Sequence, residues 1–415
     1  MPYRLLDLDL DRPLPDVALG PEEDGVGVLV RLGGRPVGFW LEPWQQGGEV
    51  PGDHLGARAA SEAREAIVRV AAEAELAAGW TGGQAPSVTV AICTRDRPDR
   101  LARCLRSIRE LGVPDGMSAP EILVVDNAPP DDRTRGTVAA MPGVRYAREP
   151  RAGLDFARNR ALHEATGDWL AFLDDDVVAD PGWLAGLTEA VAVHPDAEAV
   201  TGLVLPFALE TEAQILFEQA GGFRRGFLPL RYQGSARPGD AYYPVGAGIF
   251  GAGANMAFRR DTLLRLGGFD EALDTGPPLP GGGDLDIFYR VVRSGAPLVY
   301  WPAALVFHEH RHDLDALRRQ YHSWGTGFMA FLTKAYGTDP SQREKIRGMV
   351  RWWFKYQARQ YLKSVRGRGV LPAHMVAAEI RGGVQGLAGE YERSQRRVEA
   401  IRQVRQPADV TSAGA

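Results

Sequence analysis

The run Trp169-Leu170-Ala171-Phe172-Leu173-Asp174-Asp175-Asp176 is an apolar stretch that ends in three consecutive carboxylates. The residues after Asp168 read as a buried strand of a parallel sheet. Acids crowded at such a strand end raise one another's pKa, because like charges disfavour joint ionisation. A divalent cation removes that penalty, and hard oxygen ligands suit Mg²⁺ or Mn²⁺. The location fits as well, since open α/β sheets bind ligands at the carboxyl ends of their strands. A simpler reading makes Asp176 or Asp180 the N-cap of a helix expected near Pro181-Gly182-Trp183. One acid would fill that role, and the chain supplies three in a row. Residue type and spacing therefore point to a metal-and-phosphate site.

Two further strand ends carry polar groups. Val88-Thr89-Val90-Ala91-Ile92-Cys93 leads into Thr94-Arg95-Asp96, and Glu121-Ile122-Leu123-Val124-Val125 leads into Asp126-Asn127. Consecutive parallel strands present their carboxyl ends at one edge, so these groups can line a single crevice with Asp174, Asp175 and Asp176. Later, Gly281-Gly282-Gly283-Asp284-Leu285-Asp286 precedes the helix-like Ile287-Phe288-Tyr289-Arg290. Asp284 or Asp286 could cap that helix. The glycines also let backbone run close to a ligand, and an Asp there could take a proton from a hydroxyl nucleophile. His308 follows the strand-like Ala304-Leu305-Val306-Phe307 within His308-Glu309-His310-Arg311-His312. Beside an acidic metal site it becomes an additional ligand, although spacing does not choose among the three histidines. The cluster lacks the spacing of a structural zinc site.

The elements that must hold these residues alternate from Ser87 onward. Pro98 to Leu111 reads as a helix with Leu101, Leu105 and Ile108 on one face, and Arg158 to Thr166 as another. Strands alternating with helices imply βαβ units in a mostly parallel sheet. Before them, residues 1–56 form a small β-rich module, with Val26 to Leu32 turning at Gly33-Gly34 into Val37 to Trp40. Residues 57–85 are an Ala-, Glu- and Arg-rich helix and a linker that begins at Trp80. Residues 86–312 make the α/β domain, in which Gly221 to Gly253 is a long irregular segment of mobile loops. Residues 313–403 are helical and 404–415 a disordered tail.

The 415 residues, 24% charged with a formal net charge of -5, argue against general nucleic-acid binding. Cys93 and Cys104 offer no disulfide framework and read as buried small residues in a reducing compartment. The N-terminal residues carry early acids and no long apolar core, and no segment has the ~18 apolar residues of a membrane span. A cytoplasmic protein is expected.

The order of motifs resembles the family 2 glycosyltransferases with their GT-A fold. The resemblance runs through Val90 to Pro98, Ile122 to Asn127, Gly153-Leu154-Asp155-Phe156-Ala157-Arg158-Asn159-Arg160 and Phe172 to Asp176. It continues through Gly253 to Arg260, Gly267-Gly268-Phe269-Asp270-Glu271, Gly283 to Asp286 and His308. It implies nucleotide-sugar binding by Thr94, Asp96, Asp126, Arg158, Asp174, Asp175 and Asn255, with Asp126 facing the base. It further implies metal contacts at Asp176 and His308 and a catalytic base at Asp284. The family often has Glu-Asp at the base, where this chain has Gly283-Asp284.

The implied activity is an inverting transfer of a sugar from a nucleoside-diphosphate sugar to an acceptor hydroxyl on a glycan or lipid carrier. It would serve polysaccharide, glycolipid or glycoconjugate synthesis with Mg²⁺ or Mn²⁺. The competing readings are a sugar-nucleotide nucleotidyltransferase and a non-catalytic sugar-nucleotide-binding scaffold. The first lacks its glycine-rich phosphate loop, since Thr94-Arg95-Asp96-Arg97-Pro98 holds no glycine. The second fits poorly with both Asp176 and Asp284 in place. Finally, residues 343–368 carry nine basic residues and one acid interleaved with Trp352, Trp353, Phe354, Tyr356 and Tyr361. That composition suits either an anionic membrane surface, at the inner face of the membrane, or a helix packed on the catalytic domain.

Overall fold

Nine strands form the central sheet, and alternate residues of each inner strand enter opposite cores. Leu123 and Val125 of the Glu121–Asn127 strand pack on one face with Phe172, Phe258 and Phe288. Ile122 and Val124 pack on the other with Leu101, Leu105 and Trp183. A sheet covered on both faces explains why these strands read as continuous apolar runs. The computed structural model describes residues 2–76 and 86–403; the expected linker lies almost wholly outside them, and the expected tail 404–415 wholly so.

The strand order is Val177–Ala179, Leu298–His308, Ala199–Pro206, Asn255–Arg259, Trp169–Asp174, Val88–Thr94, Glu121–Asn127 and Val144–Glu149, with Leu230–Tyr232 pairing onto Leu298–His308. Trp169–Asp174 and the three strands beyond it are parallel. Asn255–Arg259 runs antiparallel to both of its neighbours. This is the mostly parallel α/β sheet that the alternation of elements implied. Helices Pro98–Arg109 and Leu154–Glu164 flank it, the latter beginning four residues before the expected Arg158. The segment from Gly221 to Gly253 is irregular, as expected, apart from strand Leu230–Tyr232 and the short turn of helix Ala247–Ile249. Tyr232, Tyr243 and Phe250 join the main core.

The N-terminal region builds its own core. Tyr3–Asp9 pairs parallel with Gly25–Leu32, which turns back into Arg35–Pro43. The turn falls at Gly33 and Gly34, both with positive φ (58° and 75°), as a two-residue hairpin requires. Helix Gly52–Glu62 starts earlier than the expected Ala57, and Leu55, Ala59 and Ala63 cover Val26, Val28 and Val30. Leu29 and Phe39 then meet Leu203, Leu205 and Leu305 of the central sheet. Arg31 ties the two cores together, bonding Asp7 and, at 2.7 Å, Asp180.

Four helices, Leu314–Thr338, Arg343–Val365, Ala373–Gln385 and Tyr391–Gln403, follow the sheet. Met329, Phe331 and Leu332 of the first enter the main core beside Ile346, Met349 and Trp353 of the second. Lys334 of the first also reaches Asp270 at 2.8 Å and Asp286 at 2.7 Å, fixing the helices to the loops around Asp284.

Candidate active site

Strand register brings the three expected strand ends together. Thr94 lies opposite Asp126, and Cys93 opposite Asp174. After Asp174 the chain turns tightly into Val177–Ala179, and Val177 pairs opposite His308. That turn leaves His308 Nε2 3.3 Å from Asp176 Oδ1. Ligand atoms of Asp174, Asp176 and His308 all fall within 4.8 Å of one another. Burial, followed by the Asp176 carboxylate, pushes the Asp174 pKa up to about 7. Burial, followed by His310 and Arg311, holds His308 well below its usual pKa and so neutral, with a lone pair to give. Two carboxylates and an imidazole suit a hard or borderline divalent cation, so the residues present fit Mg²⁺ or Mn²⁺.

The flanking arginines were not singled out in the sequence. Arg97 lies 3.6 Å from Asp176 Oδ2, and Arg100 and Arg311 lie 3.9 Å from it. For two of them the signal was spacing: Arg97 at the N-cap of helix Pro98–Arg109 and Arg100 and Arg103 within it recur every three residues, which returns them to one side. Guanidiniums at an acidic metal edge suit a phosphate-bearing ligand.

The remaining expected nucleotide contacts divide. Asp126 is buried, accepts the Tyr146 hydroxyl at 2.9 Å, and leaves its Oδ1 without a partner. Burial raises its pKa. An orphaned buried acceptor is costly, and a ligand N–H would satisfy it. Asp175 instead accepts Thr94 Oγ1 at 2.7 Å and Arg97 at 3.0 Å, so Thr94 and Asp175 brace the turn. Asp96, at φ 54°, is exposed and paired with Arg133. Asn255 is buried; its amide donates to Leu203 and Ala304 carbonyls and accepts the Trp183 indole N–H at 2.9 Å. Both amide protons and one lone pair of the side-chain oxygen thus join strands and helix. Neither Asp176 nor Asp180 caps the following helix with its side chain, whose N-cap is Gly182.

Arg158 occupies the centre. It is buried on helix Leu154–Glu164 and bonds Asp155 at 2.9 Å and Asp274 at 3.3 Å. These two carboxylates, then Asp174 and Asp284, raise its pKa against the opposing effect of burial. Asp284 accepts the Gly253 N–H at 3.1 Å through Oδ2 and makes no N-terminal cap, while Asp286 pairs with Arg290 and Lys334. A side chain on Gly253 would come within 3.1 Å of Arg158 and 3.2 Å of Asp284, so bare backbone lets the two approach. The absence of a glutamate before Asp284 also has a cause. A Cβ at Gly283 would sit 2.1 Å from Asp155 Oδ2 and 2.7 Å from Asp274 Oδ2. Those carboxylates fill the space that a glutamate side chain at position 283 would need.

One sheet edge thus gathers two carboxylates and an imidazole that could hold a divalent ion, several arginines and a separate carboxylate. Comparison with known proteins supplies the family. Residues 89–237 match the model for "Glycosyl transferase family 2", and residues 169–378, half the chain, match that for "Glycosyl transferase family group 2". The chain is 31% identical over 258 residues to the succinoglycan biosynthesis protein ExoM of Rhizobium meliloti, covering 60% of this chain and 77% of that one. It is 31% identical over 238 residues to a pre-mycofactocin glycosyltransferase of Mycobacterium tuberculosis, covering 55% of this chain but only 43% of the relative. Among solved structures, a mannosyltransferase from Pyrobaculum calidifontis, in complex with GDP-Man and Mn²⁺, has a TM-score of 0.46 at 18% identity, covering 80% and 97%. The chain belongs to glycosyl transferase family 2 and is a glycosyltransferase, built on a mostly parallel sheet flanked by helices.

Two outcomes follow from this geometry. Asn255→Ala would strand Trp183 and two buried carbonyls and should lower stability by about 2–4 kcal/mol. Nucleotide affinity should stay unchanged in the folded fraction; urea denaturation and calorimetry check both. The raised pKa of Asp174 means that its proton is lost more easily from the unfolded chain. Without divalent ions, stability should therefore fall as pH rises from the ordinary 3.8 through about 7. Asp174→Asn should flatten that slope in urea-midpoint measurements made in EDTA.

Proposed function

We propose that the protein transfers a sugar, with inversion, from a nucleoside-diphosphate sugar to an acceptor hydroxyl in polysaccharide, glycolipid or glycoconjugate synthesis. The observation that carries this reading is the placement of Arg158 between the donor-side acids and Asp284, with Gly253 the point of closest approach. Asp126 would take the base, through the oxygen that has no partner. Asp174, Asp176 and His308 would hold Mg²⁺ or Mn²⁺, which would stabilise the negative charge of the departing nucleoside diphosphate. Asp284 accepts the acceptor's hydroxyl proton as its oxygen bonds to the anomeric carbon. The bond from that carbon to the diphosphate breaks, its electron pair leaves with the diphosphate, and a single displacement inverts the centre. Gly253 N–H and the start of helix Gly283–Arg293 hold the carboxylate for that task.

A screen of nucleotide sugars by thermal shift with Mn²⁺ identifies the donor. With that donor, Asp284→Asn should reduce turnover by at least about 100-fold while leaving nucleotide affinity nearly intact. Near-normal turnover would remove Asp284 as the base.

We also propose that the helix Arg343–Val365 rests on anionic lipid, as a lipid-linked acceptor would require. Its residues divide between two roles. Ile346, Met349 and Trp353 are buried in the main core. On the outer side Trp352 stacks on Tyr356, with ring centroids 5.3 Å apart, and both are exposed. Arg351, Lys355, Arg359 and Lys363 surround them, also exposed. No helix among the described residues is long and apolar enough to cross a membrane, so the contact would be peripheral. The protein should co-sediment with phosphatidylglycerol vesicles at low salt, and less so when Trp352 and Tyr356 are both changed to Ser. Absence of sedimentation at low salt would retire this contact.

A further inference from the structure

Behind His308 runs a buried chain of polar groups that the catalytic reading does not use. His308 Nδ1 lies 3.0 Å from His310 Nδ1, and His310 Nε2 lies 2.8 Å from Glu218 Oε1. All three side chains are more than nine-tenths buried. The other Glu218 oxygen has no hydrogen-bond partner, and the Arg224 guanidinium stands 3.5 Å from it. Aromatic rings close the surroundings: Phe217 lies edge-on to His310 at 4.7 Å, and Phe223 lies against His308 at 5.1 Å. Water has little access to exchange partners along this chain.

The direction of the hydrogen bonds follows from Glu218. A carboxylate beside a guanidinium only accepts, so His310 Nε2 must carry the proton between them. In the neutral ring, which carries a single proton, His310 Nδ1 is then a lone pair, and it accepts from His308 Nδ1–H. The proton of His308 is thereby held on the nitrogen away from the acids, and its Nε2 lone pair faces Asp176 Oδ1 at 3.3 Å. Two acceptors facing each other at that distance repel, and a cation between them turns the repulsion into coordination.

We propose that Glu218 and His310 are positioning residues that fix His308 in the Nδ1–H tautomer, so that Nε2 is presented as a metal ligand. This rests on the metal site proposed above. It also separates the three histidines of the sequence cluster. His308 is the ligand and His310 its orienter, while His312 pairs near the surface with Glu309. Partners of this kind behind a ligating histidine typically contribute about 10–100-fold in metal affinity.

The test uses the full chain with selectively ¹⁵N-labelled histidine and Mg²⁺, together with calorimetric titration of Mn²⁺ alone. Long-range ¹H–¹⁵N correlation should show His308 protonated at Nδ1 and bare at Nε2; a proton on Nε2 overturns the proposal in the unaltered protein. His310→Phe should weaken Mn²⁺ binding by about tenfold or more, and His310→Asn, whose carbonyl can accept in place of Nδ1, should recover part of it. If His308→Ala loses Mn²⁺ affinity while a folded His310→Phe keeps it, the relay is wrong and the metal site stands. If His308→Ala itself binds Mn²⁺ normally, the metal site as assigned is wrong.

Discussion

One buried guanidinium organises the site. Arg158 is withdrawn from water, and a buried charge of that kind persists only when it is paired and hydrogen-bonded. Asp155 and Asp274 satisfy it directly, and the charges of Asp174 and Asp284 act on it from either side. Each of these acids belongs to a different element. The pairing therefore draws together helix Leu154–Glu164, the loop after Gly267-Gly268-Phe269, the end of the Trp169–Asp174 strand and the start of helix Gly283–Arg293. Without the cation at the centre, the four carboxylates would repel one another out of register.

The parts outside the sheet serve this arrangement mechanically. The C-terminal helices hold the Asp270 loop and the Asp286 helix through Lys334, while a side chain on Gly327 would meet the Gly281 backbone and one on Gly282 would meet that of Gly327. The N-terminal module grips the opposite margin. Its Arg31 reaches Asp180, just past the strand that pairs with His308. The edge strands that shape the metal triad are thus bounded on one side by a separate core and on the other by a helical bundle.

Much of this was readable in the residues. Apolar runs ending in acids marked the central strands, because a sheet buried on both faces needs such runs and a ligand edge needs polar ends. The hairpin at Gly33-Gly34 was equally legible, since its turn requires positive φ. What the spacing could not convey was side-chain competition. Thr94 bonds Asp175, which also accepts Arg97, and Asn255 bonds Trp183 and two carbonyls, partners that lie far away in the chain. Nor could local pattern separate His308 from His310 and His312, because the choice depends on Val177 and Glu218, distant in the chain. The burial of Tyr232, Tyr243 and Phe250 was hidden for a similar reason: they pack into a core that includes later residues such as Ile287 and Phe288.

The contact between Gly283 and Asp155 bears on how such a site can change over generations. With Asp155 Oδ2 only 2.1 Å from where a Cβ at 283 would lie, a glutamate beside the base would require that carboxylate to move. Equally, a shorter residue at 155 would vacate the space but deprive Arg158 of its nearest partner. Positions 155 and 283 are therefore coupled through one small volume, in which a side chain at 283 competes with the carboxylate that pairs with Arg158.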